Sequence, residues 1–470
     1  MSIEPIGLFT LVLMVACLCL DYSVMIIALV TTSIFGAAAA VFLGGANIPP
    51  AHLFIAAVAL ATLVRRDQCA AILTALHPTR PGFWIFCFVA YGLITAFFYP
   101  KVMSGLTQII PLGTSQYEDS GFTVPLGPVS SNFTQSIYMI SSLMVFLIIA
   151  SLAATSEGFR TAAIAATGYV TANVAFGILD VLTYLSGTQG LMDFMRNANY
   201  AMHTETAVEG MKRIAGAFAE ASTFARASLG AFGFIGTLWL CGHRPWLTGP
   251  LTAGTFVLGL MSTSSTAIAM LPVMVIVLYM TALTRCGTAK RARISSAVVL
   301  TAPLLAAVLV LAVVANVALS AAVYDYLDLV VLSKAGTDSG VERGSWNAVG
   351  FQNFRDSGGL GVGLGTIRTS SYSTALLGGV GLVGTLLYLI FLGLALLRNP
   401  GPKGSLERDV RMAARNGCMG LIAADMLVGS TVDQGLFFFT LAAIASARPE
   451  RSPGSARSLT SDLSLARVAA

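Results

Sequence analysis

Residues 340–384 read GVERGSWNAVGFQNFRDSGGLGVGLGTIRTSSYSTALLGGVGLVG and join a polar loop directly to an apolar segment. The polar half carries Arg343, Arg355 and Arg368, and the apolar half begins near Tyr372. Arginine is always charged and presents a planar fork of donors that fits phosphate oxygens, so this boundary favours contact with an anionic, lipid-anchored group. The alternative is that each arginine only anchors a membrane helix among lipid headgroups.

The composition of the whole chain is typical of a membrane protein. Of the 470 residues, 56% are hydrophobic and only 10% are charged, with a mean hydropathy of +0.80. A soluble domain could not cover so much apolar surface, and the apolar runs are too long for barrel strands. We therefore predict an all-α integral membrane domain over residues 1–447 and a disordered cytoplasmic tail over residues 448–470.

The apolar runs predict a polytopic helical bundle of about 12–13 transmembrane helices. A large periplasmic loop, residues 319–372, precedes the third-last of them. The first, third, eighth and last runs are shorter than the ~20 residues of an untilted crossing. The runs cover residues 6–20, 23–43, 51–64, 82–99, 136–153, 161–185, 217–240, 247–261, 265–283, 295–318, 372–397, 412–428 and 435–447.

Lysine and arginine set the orientation, because short loops that carry them are retained in the cytoplasm. If the basic loop 285–293 lies inside, alternation of the segments from residue 82 onward places most cations inside as well. The external loops nevertheless keep several cations, against the preference of insertion. A site for a negatively charged group on the outer face explains them. These outer cations are Lys101, Arg196, Lys212, Arg213, Lys334, Arg343, Arg355 and Arg368.

Residues 212–226 read KRIAGAFAEASTFAR and introduce the seventh apolar run. Glu220 follows Arg213 by seven residues, so on a helix the two side chains would share one face about two turns apart. A carboxylate in lipid costs at least about 3 kcal/mol, so Glu220 is expected to face a wet cavity or a cation. The alternative is an ion pair between helices, for instance with Arg226.

Trp346 follows Arg343 by three residues, so on a helix a cation would lie beside an aromatic platform on which sugars stack. An interfacial tryptophan that only marks the membrane surface is the alternative. The run GLGVGLG, Gly359 to Gly365, lacks the Lys-Ser/Thr of a phosphate-binding loop and instead predicts a tight turn approached closely by another element or a ligand. The four histidines are scattered with no metal-ligand spacing, so we expect no metal and no cofactor.

These motifs resemble those of the O-antigen ligase and O-antigen polymerase family, which includes exopolysaccharide polymerases. Arg343, Trp346 and the GVGLG run, followed by GLVGTLLY in a helix, are similar to its C-terminal signature, and RIAGAFAE is similar to a second signature. The features cover about a third of the chain, residues 213–397, and the hydropathy profile with its late periplasmic loop agrees over the whole length.

The resemblance implies a metal-independent glycosyltransferase of the bacterial inner membrane with its active site facing the periplasm. Its donor would be an undecaprenyl-diphosphate-linked oligosaccharide. Arg213 and Arg343 correspond to the arginines with which the family is thought to hold the diphosphate. From the residues themselves we add Arg368 and Arg355 as expected diphosphate ligands, Trp346 as the expected sugar-binding residue, and Glu220 and Arg343 as expected catalytic residues. Glu342 and Asp338 are further candidates for the base. Membrane lipids, a chain-length regulator and export proteins would be its partners, and no nucleic acid is expected.

One departure from the family distinguishes its branches. Ligases typically carry a histidine after the glycine-rich run, whereas residues 369–373 here read TSSYS and the last histidine in the chain is His243. We therefore expect a polysaccharide polymerase that joins lipid-linked repeats. Two alternatives are an O-antigen ligase that transfers glycan to the lipid A core and a transporter of polysaccharide or lipid-linked oligosaccharide.

Overall fold

The computed structural model describes residues 2–43, 46–117, 123–199, 202, 207–208, 211–287 and 292–449. Its regular structure is almost entirely helical. The helices in the described part are α1 (Pro5–Leu18), α2 (Tyr22–Thr32), α3 (Pro50–Leu63), α4 (Arg66–Ala75), α5 (Pro81–Val102), α6 (Ser131–Leu152), α7 (Ser156–Leu185), α8 (Ala221–Leu240), α9 (Pro245–Met261), α10 (Ser265–Arg285), α11 (Arg293–Ala315), α12 (Val317–Leu327), α13 (Asp338–Asp356), α14 (Tyr372–Ala375), α15 (Gly381–Leu396), α16 (Leu406–Val428) and α17 (Gly435–Ser446).

Short strands and tight helical turns connect these helices. All strand pairs are antiparallel, and in the first sheet the order is β1-β2-β3, with Val41 opposite Ile48. The 3-10 turns cover Gln189–Met195 and Ser333–Gly336, and the π-helical turns cover Asp328–Leu332 and Leu376–Val380. The strands are β1 (Ser2–Ile3), β2 (Val41–Leu43), β3 (Ala46–Ile48), β4 (Gln108–Ile109), β5 (Val124–Pro125), β6 (Ala207–Val208) and β7 (Met211–Lys212).

Six spans in the described part of the chain are long and apolar enough to cross a membrane: α5, α6, α7, α10, α11 and the joined stretch Tyr372–Leu396. Four shorter apolar helices, α1, α2, α3 and α17, accompany them. The helical, membrane-compatible character that the sequence predicts is therefore observed. The predicted total of 12–13 crossings is larger than the six helices that meet this length.

Several predicted segments have different bounds in the structure, and three of them show the physical reason. The run 23–43 is not one helix, because α2 ends at Thr32 and the chain reaches strand β2 instead. The run 217–240 becomes helical only at Ala221. The run 295–318 divides at Asn316, whose side chain caps α12 by accepting a hydrogen bond from the Leu319 N–H at 3.1 Å. Hydropathy locates apolar residues but does not detect such local caps.

Helices α8 and α16 form the most closely packed pair in the bundle. A Cβ atom at Gly233 would lie 2.4 Å from the Asn416 carbonyl oxygen, and one at Gly420 would lie 2.4 Å from the Leu229 carbonyl oxygen. The Asn416 side-chain amide also donates to Thr237 at 2.8 Å, on α8. Small residues and interhelical hydrogen bonds are the means by which helices associate in lipid, and this pair uses both.

One end of the bundle is joined by charged side chains that the sequence assigns to the cytoplasm. Asp409, at the start of α16, binds Arg285 at the end of α10 and accepts a hydrogen bond from His243 at 2.9 Å. Arg448 donates to the Asn399 carbonyl at 2.8 Å. Residues 288–291 of the basic loop and residues 450–470 of the predicted disordered tail lie outside the described part of the chain.

At the opposite end, the two largest loops predicted to be external pack against each other. The Asn353 side chain of α13 is buried and donates to the Gln108 carbonyl at 2.7 Å. The Arg368 N–H donates to the Ile110 carbonyl at 2.9 Å. Buried Ile109 and Val362 share a small apolar cluster beneath them. The loop region 319–372 is therefore an ordered layer at this end of the bundle.

Candidate functional site

Residues 338–356 form the helix on which the proposed pairing of Arg343 and Trp346 depends. Thr337 caps this helix, α13, by accepting a hydrogen bond from the Gly340 N–H at 3.3 Å. Arg343 and Trp346 are three residues apart and so lie on one face. Both side chains are half-buried. The pairing required this stretch to be helical, and it is.

Arg368 joins this face from the far end of the loop. Its guanidinium carbon lies 4.8 Å from the centre of the Trp346 ring, within the range of a cation–π contact. The neighbouring Ser370 N–H donates to the Asn347 side chain at 2.8 Å, which fixes the returning chain against α13. Arg368 thus contacts the face of α13 on which Arg343 and Trp346 lie.

Arg213 and Glu220 do not share a helix face, and this expectation was wrong. Residues 213–220 form a non-helical turn, with Gly216 in the left-handed region at φ 56°, and Glu220 is the residue that immediately precedes α8. The cause is Asp180, at the end of α7, whose carboxylate accepts hydrogen bonds from the N–H groups of Ala215 at 2.8 Å and Gly216 at 3.0 Å. Backbone donors bound to a side chain are unavailable to a helix.

Arg213 nevertheless lies close enough to Glu220 and Arg343 to interact with them. Burial and the positive charge of Arg343 lower the pKa of Arg213, while the Glu220 carboxylate opposes this shift. The Nε–H of Arg213 is buried and has no hydrogen-bond acceptor among the described residues. A buried donor on a charged group is costly to leave unpaired, so this position fits an anionic ligand.

Lys334 is a third cation close to Arg213 and Arg343. It was not among the site residues predicted from the sequence. Burial lowers the pKa of Lys334, and the charges of Arg343 and Arg213 lower it further. Lys334 lies in the turn Ser333–Gly336 immediately before α13. In the sequence, only the place of Lys334 in a loop predicted to be external pointed to a role in this site. We call Arg213, Lys334 and Arg343, with Glu220 beside them, the basic cluster.

Glu220 is half-buried and accepts a hydrogen bond from the Ser222 hydroxyl. Both residues are described, and no ion pair joins Glu220 to Arg213. The carboxylate therefore lies near the cations without closing a direct bridge to them. A carboxylate in this arrangement can accept a proton while the arginines bind an anion.

Arg355 lies away from the basic cluster. It is twelve residues beyond Arg343 on α13, about 18 Å along the helix axis. Its side chain is exposed, donates to Gln352 and lies 5.5 Å from the Phe351 ring centre. The structure therefore separates this predicted diphosphate ligand from Arg213 and Arg343.

The glycine-rich run is buried inside the protein from Gly361 to Gly365. A Cβ at Gly361 would lie 2.6 Å from the Gly381 backbone nitrogen, and one at Gly363 would lie 2.7 Å from the Thr95 carbonyl oxygen. The Gly361 N–H donates to the Ser357 hydroxyl at 2.9 Å and the Gly363 N–H donates to the Gly379 carbonyl at 2.8 Å. The predicted tight turn is observed, and these amides are bound to the protein rather than turned toward a phosphate.

Other charges near this end have partners within the protein. Arg196 binds Asp180 at 2.8 Å, and Lys212 binds the same carboxylate, whose exposure is 0%. Arg226 pairs with Asp425, with a second contact of 2.8 Å between Nη2 and Oδ2. The ion pair between helices that the sequence offered as an alternative therefore forms, but it joins Arg226 to Asp425 rather than to Glu220.

Among the described residues, no group of three or more histidine, cysteine, aspartate or glutamate side chains is arranged to hold a metal ion. The basic cluster can instead bind an anion by charge and hydrogen bonding, with a carboxylate and an aromatic ring nearby. Comparison with protein-family models, with curated proteins and with solved structures finds no match to this chain.

Proposed function

We propose that this chain is a polysaccharide polymerase of the bacterial inner membrane, which joins undecaprenyl-diphosphate-linked oligosaccharide repeats on the periplasmic face. The observation that carries the proposal is the basic cluster. Arg213 lies more than a hundred residues before Lys334 and Arg343 in the chain. Burial lowers the pKa values of Arg213 and Lys334, and repulsion from the neighbouring positive charges lowers them further. An anion that binds all three cations removes this repulsion.

The diphosphate of the donor supplies such an anion. When the glycosyl bond breaks, negative charge develops on the departing diphosphate, and fixed cations in a partly dry site stabilise that charge as it forms. The unpaired Nε–H of Arg213 is a donor for one of its oxygens. We assign Arg213, Arg343 and Lys334 to this role, with Arg368 at the edge of the site.

Glu220 is the candidate general base. In the proposed step, the acceptor hydroxyl oxygen attacks the anomeric carbon of the donor, and the bond from that carbon to the diphosphate oxygen breaks. Undecaprenyl diphosphate leaves, and the hydroxyl proton passes to the Glu220 carboxylate. No metal, nucleotide or redox partner is needed for this balance.

Trp346 is the candidate sugar platform. Arg368 lies over the indole ring, and we propose that a sugar stacks on the opposite face. Sugars stack on tryptophan through their apolar faces, which allows chemically varied repeats to bind. The ring lies one helical turn from Arg343 and so close to the position proposed for the diphosphate.

The segment 369–373 favours polymerase over ligase. In ligases this region typically carries a histidine, whereas here Thr369 is fully buried and its hydroxyl faces the Gly429 and Ser430 carbonyls at 3.5 and 3.4 Å. The position therefore has a packing role. We expect the acceptor to be another lipid-linked repeat, with a chain-length regulator and export proteins as partners.

The experiment that tests this function uses the purified full chain in detergent or nanodiscs with a lipid-linked repeat and neither nucleotide nor metal. Wild-type protein is expected to produce a ladder of longer glycans. Arg213→Ala and Arg343→Ala are each expected to slow chain growth about 10²- to 10³-fold, the range for loss of one stabilising donor. Lys101→Ala, which removes an exposed cation at the same end, is the matched control and is expected to retain wild-type rates.

Three results would contradict the proposal. Wild-type ladders from both arginine variants would remove these residues from the reaction. Transfer only to a lipid A core acceptor would indicate a ligase. Movement of the lipid-linked repeat across a vesicle membrane without any new glycosidic bond would indicate a transporter.

A further inference from the structure

A cavity of about 740 Å³ lies between α8, α9, α10 and α11. Its walls are almost entirely apolar. They include Phe232 and Trp239 of α8, Phe256 of α9, Ile276 of α10 and Ala302 of α11. This volume lies in the range of binding sites for small molecules, and the chemistry of the walls selects a hydrocarbon. We call it the apolar groove.

Helix α11 borders the groove from Val298 to Ala306. Ser295 donates to the Leu240 carbonyl at 2.8 Å, and Tyr279 of α10 donates to the Val299 carbonyl at 3.4 Å. Ala306 is the last α11 residue that lines the groove, and beyond it Leu309 and Leu311 are 58% and 68% exposed. The side of α11 beyond the groove is therefore uncovered in the described part of the chain, and we call it the lateral opening.

The same segment that borders the groove also reaches the basic cluster. Helix α11 continues into α12, which ends at Leu327, and the next turns lead to Lys334. Tyr326 of α12 interacts electrostatically with Arg213. One continuous stretch thus connects the lateral opening with the proposed diphosphate site.

The depth of the groove indicates the length of its occupant. On α8, Phe232 and Trp239 lie 12 and 19 residues beyond Glu220, about 18 and 28 Å along the helix axis. One leaflet of a bilayer is only about 15 Å of hydrocarbon. A chain whose head lies at the basic cluster therefore reaches the groove only if it extends past the midplane, which an ordinary acyl chain of the outer leaflet does not.

We infer that the apolar groove receives the distal isoprene units of the polyprenyl chain whose diphosphate lies against Arg213 and Arg343. This inference rests on the proposed function and adds a subsite to it. The chain enters through the lateral opening beside α11 and runs down the α10 side of that helix. Recognition of the far end of the lipid then selects donors by chain length, independently of the sugar.

The test measures binding of two probes, undecaprenyl diphosphate with 55 carbons and farnesyl diphosphate with 15 carbons, to the full chain in nanodiscs. Ala302→Trp fills the groove, and Leu311→Trp adds the same ring to an exposed face of the same helix as the control. Ala302→Trp is expected to weaken binding of the long probe at least tenfold and to leave the short probe unchanged. Leu311→Trp is expected to change neither.

Equal binding of the long probe by Ala302→Trp and wild type would overturn the inference. A second measurement needs no variant: a long probe with a diazirine at its terminal isoprene is expected to label peptides of α9, α10 and α11. Labelling elsewhere, or a copurified phospholipid in the groove that the long probe does not displace, would also overturn it. Groove-dependent binding without any glycan ladder would instead refute the proposed reaction and leave the subsite standing.

Discussion

Replacing Asp180 with Asn tests how the fold positions Arg213. The Asp180 carboxylate is fully buried and binds two cations, Arg196 and Lys212, together with the N–H groups of Ala215 and Gly216. The substitution leaves both cations buried without their counter-charge. Removing one partner of a buried ion pair costs about 3–5 kcal/mol, so we expect a loss of stability of this size, measured by unfolding of the detergent-solubilised protein.

The activity of the same variant reports on the site. Because Asp180 fixes the turn that carries Arg213, Asp180→Asn is expected to lower the rate of chain growth even at temperatures where the protein remains folded. The double variant Asp180→Asn/Lys212→Met also removes one of the two cations that Asp180 binds. It is expected to lose less stability than the sum of the losses in Asp180→Asn and Lys212→Met measured separately. Wild-type stability and wild-type chain growth in Asp180→Asn would refute the reasoning.

Three further predictions concern single positions. Burial and its cationic neighbours lower the pKa of Lys334, so the lysine loses its charge as pH rises through that lowered value. The affinity for the lipid-linked donor is therefore expected to fall at alkaline pH. Because arginine stays charged, Lys334→Arg is expected to make this affinity less dependent on pH. Trp346→Ala is expected to raise KM about 3- to 10-fold with little change in kcat, and an unchanged KM would exclude sugar stacking. Gly233→Ala pushes α8 away from α16, and the free energy of unfolding is expected to fall by about 1–3 kcal/mol, measured by thermal unfolding. The control is Gly393→Ala, whose added Cβ meets no atom within 4 Å and which is expected to be neutral or stabilising.

Features that depend on local periodicity were predictable from the sequence. The apolar runs predicted helices, and the spacing of Arg343 and Trp346 predicted a shared face on α13. The glycine-rich run predicted a tight turn, because residues without a Cβ permit the close backbone approach observed at Gly361. Each of these depends on residues that are neighbours in the chain.

Features that depend on distant contacts were not predictable. The Asp180 carboxylate, on the preceding helix, accepts hydrogen bonds from the backbone N–H groups of the turn and so prevents a helix there. Nothing near Arg213 in the sequence indicates this contact. Lys334 joins the basic cluster only because the fold brings two loops together, and Arg355 is excluded from it by its position along α13. A pattern of charge predicts a side of the membrane, but it does not identify the tertiary partner of a charged residue.

The most direct test of the central claim is the affinity of the full chain for undecaprenyl diphosphate, measured in nanodiscs at fixed salt. If the basic cluster binds the diphosphate, Arg213→Ala and Arg343→Ala each weaken binding about 10- to 100-fold, as expected for loss of a charge-assisted hydrogen bond, and Lys101→Ala does not. Equal affinities in wild type and both arginine variants would contradict the account.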